Sequence, residues 1–180
     1  MDLNRLTQKS QQAVQEAQST ALRYGHVEID GEHLLLALLE QQDGLLPRLL
    51  ARMEVPLASL KSALEQALER RPRVSGPGVE AGKVYVTQRL QKLFLQAEDE
   101  AKRLKDEYVS VEHITLALID EGTSSVAGRL LQQFHVTRES FLAALTAVRG
   151  HQRVTSADPE TAYEALEKYG MDLVTQARQG

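Results

Sequence analysis

"LTQKSQQAVQEAQSTALRYGHVEIDGEHLLLALLE" (Leu6–Glu40) returns 80 residues later as "VTQRLQKLFLQAEDEAKRLKDEYVSVEHITLALID" (Val86–Asp120). Of the 35 aligned positions 11 are identical, among them Thr7/Thr87, Ala17/Ala97, Arg23/Arg103, Glu32/Glu112 and His33/His113. Unrelated stretches of a chain rich in Leu, Ala and Gln would share roughly one position in ten. After one inserted residue the match resumes at a shift of 81, where "RLLARMEV" (Arg48–Val55) faces "RLLQQFHV" (Arg129–Val136). Leu34/Ile114, Leu39/Ile119 and Leu60/Phe141 keep the apolar pattern where identity lapses. This is an internal duplication, so each copy is read as one structural unit.

Each copy reads as four helices. Thr7 can cap the first through its hydroxyl. Ala13, Val14, Ala17 and Ala21 then recur at helical spacing, and Gly25 supplies a stop. Asp30, and Ser110 in the second copy, can cap a helix whose apolar face carries Leu35, Leu36, Leu38 and Leu39. A short third helix holds Leu46 to Met53, with Pro47 tolerable in its first turn. Leu57, Leu60, Leu64 and Leu68 mark the fourth, which Pro72 ends. No segment alternates with period two, so strands are not expected to matter.

The first repeat thus spans about 6–70 and the second about 86–149, within one helical domain at 1–149. Between them lies a linker, 71–85, with Pro72, Gly76, Pro77, Gly78 and Gly82. Its Gly82-Lys83 pair resembles the end of a phosphate-binding loop, G-x-x-x-x-G-K-[ST]. The place of the first glycine is taken by Pro77, which has no amide hydrogen to donate, and the hydroxyl's place by Val84. No apolar strand precedes it, only "LERRPR". It reads as a joint. Residues 150–180 form a second linker segment, in which Asp158 as cap and Pro159 at the first helical position open a last helix.

Composition narrows the function classes. Apolar residues make up 42%, charged residues 26% and aromatics 4%, with no Trp, which favours helices packed through aliphatic stripes. The net charge is −4 with no basic block, unlike a nucleic-acid partner's concentrated positive surface. No Cys is present, which removes disulfides, thiolate metal sites and a Cys nucleophile. The longest apolar run, Leu34–Leu39, is far short of a membrane span, and "MDLNRLTQKSQQ" is too polar for a signal peptide. A cytoplasmic location is expected.

No catalytic constellation emerges. His33 and His113 each follow a Glu, but adjacent residues diverge by about 100° around a helix, and no H-E-x-x-H or E-x-x-H occurs. Each His is expected to bond through a ring nitrogen inside the helix packing, and no metal is expected. There is no G-x-S-x-G, and Asp99-Glu100 reads as a solvated helix face. One polar pattern stands out: Thr7 with Glu32 recurs as Thr87 with Glu112, a hydroxyl and a carboxylate at successive helix starts. Helix capping and a dipole-favoured first-turn Glu explain it. A second reading brings two helix N-termini together with a carboxylate that attracts a cation. Asp106 and Glu107 beside Tyr108 add acidic potential next to an aromatic ring, a combination that can hold a basic or extended peptide.

"LTQKSQQAVQEAQ…DGEHLLLALLE" and "VTQRLQKLFLQAEDEA…SVEHITLALIDE" resemble the Clp amino-terminal domain of AAA+ unfoldases, and within it the ClpB branch of disaggregating chaperones. Residues 1–149 match the double repeat, and "ALEKYGMDLVTQARQG" resembles the stretch leading to the first ATPase module. The resemblance implies an all-α fold of two pseudo-twofold-related four-helix repeats in one compact domain, followed by a linker helix. It implies a non-catalytic module, monomeric alone, of a homohexameric ATPase whose ATP and Mg²⁺ bind in other modules, leaving no cofactor here. It implies unfolded or aggregated polypeptides as partners, with adaptor proteins or a co-chaperone as further candidates.

The family's polar positions carry over to Thr7, Asp106 and Glu112. A hydrophobic groove between the repeats is expected on the helix 88–104, through Leu90, Leu93 and Phe94, with Tyr108 nearby; Gln96 and Glu100 make that helix more polar than such a groove needs. The related ClpC branch implies an alternative, in which Thr7, Glu32, Thr87 and Glu112 take an adaptor or a phosphoarginine, with phosphate at helix amides and guanidinium at the carboxylate.

Overall fold

The computed structural model describes residues 3–73, 84–150 and 152–160. The first repeat consists of α1 (Gln8–Arg23), β1 (Glu28–Ile29), α2 (Gly31–Glu40), α3 (Leu45–Arg52) and α4 (Leu57–Arg70). The second consists of β2 (Tyr85–Val86), α5 (Gln88–Arg103), α6 (Val111–Glu121), α7 (Val126–Gln133) and α8 (Arg138–Arg149). Thr7 and Thr87 cap α1 and α5, their Oγ1 atoms accepting from the amides of Ser10 and Leu90 at 3.2 and 3.1 Å. Gly25 ends α1 with a φ of +72°, and Lys105, its counterpart after α5, adopts +60°. In both copies the next amide, of His26 or Asp106, reaches back to the carbonyl of Ala21 or Ala101 at 2.9 and 2.8 Å.

α2 and α6 form the centre. Gly31 to Leu39 and Val111 to Leu118 are buried without a break, which explains why these helices are apolar on every side. They touch each other, and each also packs on the third helix of the other repeat: α2 on α7, α6 on α3. α4 packs on α7 as α8 packs on α3. Exchanging the repeats leaves this list of contacts unchanged, the signature of a pseudo-twofold axis. Leu60 and Phe141, the matched pair on α4 and α8, are both fully buried.

Strands do matter, contrary to the sequence expectation. β1 pairs in parallel with β2, Ile29 opposite Val86, and a single bridge joins Leu6 to Val109. These are the same pairing in the two copies, since Leu6 and Val86 are counterparts, as are Ile29 and Val109. The amide of Thr87 bonds the carbonyl of Ile29 at 3.2 Å, and that of Thr7 the carbonyl of Val109 at 3.0 Å. Each repeat therefore pins the first helix of the other. Two-residue strands are too short to show alternation, which is why the pattern was silent.

The P-loop-like Gly82-Lys83 falls outside the described residues, as does most of the last helix. Pro159 and Glu160 have helical backbone at its expected start.

Candidate functional site

Asp106, Glu112 and Thr7 are brought to one buried polar centre. Asp106 sits in the turn that ends α5, its carboxylate fully enclosed. His113 in the first turn of α6 accepts the amide of Ser110 on Nδ1 at 2.9 Å, so its proton lies on Nε2, which meets Asp106 Oδ2 at 2.7 Å. Asp106 Oδ1 accepts from the amide of Val154 at 2.9 Å and from the guanidinium of Arg149. Burial alone would raise the Asp106 carboxyl, but the bonds from His113, Arg149 and Val154 hold it below its usual range. Glu112 accepts the hydroxyl of Ser110 and lies 3.6 Å from Arg149 Nη1.

Thr7 enters from the other repeat. Its hydroxyl donates to Glu160 Oε1 at 2.7 Å, and the same oxygen accepts the amide of Val111, the first residue of α6, at 3.2 Å. Glu160 is only 4% exposed. Burial, then the negative charge of Glu112, push its carboxyl up to about 7, against the hydrogen bonds from Thr7 and Val111.

The counterpart centre in the first repeat is built differently. His33 again receives an N-cap amide, that of Asp30, on Nδ1 at 2.9 Å, but its Nε2 meets His26 Nδ1 at 2.8 Å where the second repeat has Asp106. Glu32 accepts from Arg71 at 3.1 Å, and the same guanidinium reaches Glu28 Oε2 at 3.2 Å and Asp30 Oδ2 at 3.6 Å. Burial and the neighbouring Asp30 charge raise Glu32, and burial pushes Glu121 nearby up to about 7. Thr87 is half-buried, whereas Thr7 is fully enclosed.

Three expectations change in the structure. Asp106 does not project acidic potential beside Tyr108, because it faces inward onto Arg149; only Glu107 is exposed there, and Tyr108 is half-buried against the core. Glu100 is not part of a solvated face. It is 1% exposed and held by Arg138 through two hydrogen bonds, at 2.9 and 2.7 Å, because α8 brings that guanidinium over α5. Leu90, Leu93 and Phe94 are 3%, 2% and 8% exposed, packed into the core rather than open to solvent; on the same helix it is Leu95 that is bare, at 59%.

An open cleft does lie between the repeats. It measures about 650 Å³ and runs between α4 and α7, with Ala63, Ala67, Val126 and Leu130 among its apolar lining and Arg70 and Arg129 among its polar lining. Asp106, Glu112 and His113 each offer a ligand atom within 4.8 Å of the others. The cation that cluster holds is the Arg149 guanidinium. Arg149 and Glu160 escaped the sequence reading. Arg149 looks like an ordinary basic helix end, and Glu160 an ordinary first-turn acid.

Two copies of a four-helix unit, interlocked about a pseudo-twofold axis and sharing Thr–Glu helix starts, define a duplicated helical repeat domain. The chain belongs to the Clp repeat N-terminal domain family, whose family model matches residues 5–134. It is 52% identical over 180 residues to the chaperone protein ClpB of Nitratidesulfovibrio vulgaris, covering 100% of this chain and 21% of that protein. The chain thus spans about a fifth of the length of that curated relative. Among solved structures, the N-terminal domain of ClpV1 ATPase from Escherichia coli is similar with a TM-score of 0.70 at 27% identity, covering 88% of this chain and 92% of that one. The Hsp104 N-terminal domain from Candida albicans shares the fold with a TM-score of 0.73 at 19% identity, covering 86% and 98%. Among the described residues no helix is long and apolar enough to cross a membrane.

Proposed function

We propose that this domain is the non-catalytic polypeptide-binding module of a ClpB-type ATP-dependent chaperone, acting in the cytoplasm on unfolded or aggregated proteins. The parent protein would be a hexameric ATPase that threads the client, with ATP and Mg²⁺ held in its other modules. Family membership supports the module's place, and the cleft between α4 and α7 is the observation that carries client binding. Its alanines let a client side chain approach the backbone, while Arg70 and Arg129 offer charged rims to a peptide's carbonyls or acidic residues.

Binding should be weak. Burying about 600 Å² against a flexible chain must offset the entropy of ordering it. Weak binding suits a module that hands its client onward.

The adaptor or phosphoarginine alternative needs Glu32 and Glu112 to receive an incoming guanidinium. Arg71 and Arg149 already stand against them. That favours the polypeptide reading, with Thr7, Asp106 and Glu112 supporting the architecture.

Fluorescence anisotropy with a labelled unfolded client, such as reduced casein, tests the reading. Val126→Glu and Ala67→Glu should weaken binding about tenfold or more, and Thr7→Ala should bind as the parent does. Unchanged binding in both cleft variants would rule the cleft out, and saturable ATP binding by the chain would argue for an ATPase instead.

A further inference from the structure

Residues 152–160 lie across the seam where the two repeats meet at Leu6–Val109. Val154 is fully buried; its amide bonds Asp106 and its carbonyl accepts the amide of Glu107 at 2.8 Å. The carbonyl of Ala157 accepts the amide of Gln8, at the start of α1, at 2.7 Å. Glu160 then joins the start of α6 to the cap of α1 through a single oxygen, by way of Val111 and Thr7. The segment therefore has backbone anchors on both repeats and one buried acid at its end.

We infer that residues 152–160 are a releasable strap, with Glu160 as its latch, and that release is governed by the protonation of Glu160 beside the buried Glu112 carboxylate. Both carboxylates are buried, and each leaves its Oε2 without a hydrogen-bond partner. Two neighbouring enclosed carboxylates are disfavoured when both are charged and favoured when they hold one proton. The charge acting on the latch is that of Glu112 on α6. Glu112 is itself bordered by Arg149 at the end of α8, which also holds Asp106 in the turn before α6, and Asp106 in turn meets His113. α1 contributes neutral groups, its cap Thr7 and Ser10. Arg149 is shared between Asp106 and Glu112 and makes its shorter bond to Asp106, so it compensates only part of the charge.

The direction follows from the docked acid binding its proton more tightly than the released one. Docking is strongest below the ordinary glutamate range of about 4.5 and weakens by up to about tenfold per pH unit as the pH climbs to about 7. The device does not depend on which client the domain takes.

NMR of the 180-residue chain between pH 5 and 8.5 tests it. The Glu160 side-chain carboxyl should titrate near neutrality, and the amides of Gln8, Glu107 and Val111 should move with the same midpoint. Glu160→Gln should hold those amides at their low-pH positions throughout, and Glu160→Ala should shift them to the released positions at every pH. Unchanged methyl resonances of Leu60 and Leu64 would show that the core stays folded in both variants. The strap is refuted if Gln8 and Val111 titrate alike in parent and Glu160→Gln, or if Glu160→Ala leaves them where they are.

Discussion

His33 Nε2 meets His26 Nδ1 across 2.8 Å, in the place where His113 meets Asp106 in the second repeat. His33 already accepts an amide on Nδ1, so the ring is neutral and its remaining proton goes to His26. Burial first, then the Arg71 charge, push His33 down to about 4. The unfolded chain therefore binds the extra proton more readily between pH 6.5 and about 4. The contribution of His33 to stability is full above 6.5 and falls as the pH drops through this window, by about 3 kcal/mol at most. The carboxyls of Glu121 and Glu160, pushed up to about 7 by burial, act in the opposite sense, so the loss is read by difference. As the pH drops from 7 to 4.5, urea denaturation should show His26→Asp, which copies the second repeat, gaining stability relative to the parent.

Arg149 is the cation shared by two enclosed acids, Asp106 and Glu112. Removing it strands both. Arg149→Met is expected to cost about 3–5 kcal/mol in equilibrium unfolding, because breaking a buried pair leaves an uncompensated charge. Pairing it with Asp106→Asn should recover part of that loss, and a double-mutant cycle measures how much.

Thr7, Glu32, Thr87 and Glu112 stood out in the sequence because the duplication repeats them, and their capping geometry followed from type and position alone. What they pair with did not. Arg71 and Arg149 occupy no matched positions in the alignment, so nothing in the periodicity joins them to Glu32 and Glu112. Glu100 looked solvated because its partner Arg138 is 38 residues away. Leu90, Leu93 and Phe94 were readable as an apolar stripe, but a stripe looks the same whether it faces a groove or the core. The helix pattern was legible because it is local; the ion pairs and the strand bridges are not.

Lys105 adopts the left-handed backbone, φ +60°, that its counterpart Gly25 reaches at +72° without a side chain. Lys105→Gly should therefore stabilise the domain by about 0.5 kcal/mol, the strain relieved less the backbone entropy that glycine adds to the unfolded chain. Thermal melting of the parent and variant checks the sign.

Gly128 in the first turn of α7 has no room for a methyl group. A Cβ there would lie 2.2 Å from the carbonyl oxygen of Gly122, which is backbone and cannot rotate away. Gly128→Ala is expected to cost about 1–3 kcal/mol by forcing the Gly122–Ser124 turn from α7. Since α7 forms one wall of the cleft, client affinity should fall with it.

The central claim is that an unfolded polypeptide rests between α4 and α7. Mapping backbone amide shifts while an unfolded peptide is titrated into the chain tests it most directly. The account predicts changes concentrated at Ala63, Ala67, Val126 and Leu130, saturating together and absent in Val126→Glu. Shifts confined to the distant face of α1 and α2, around Gln12, Gln15 and Gln41, or no shifts at all, would contradict it.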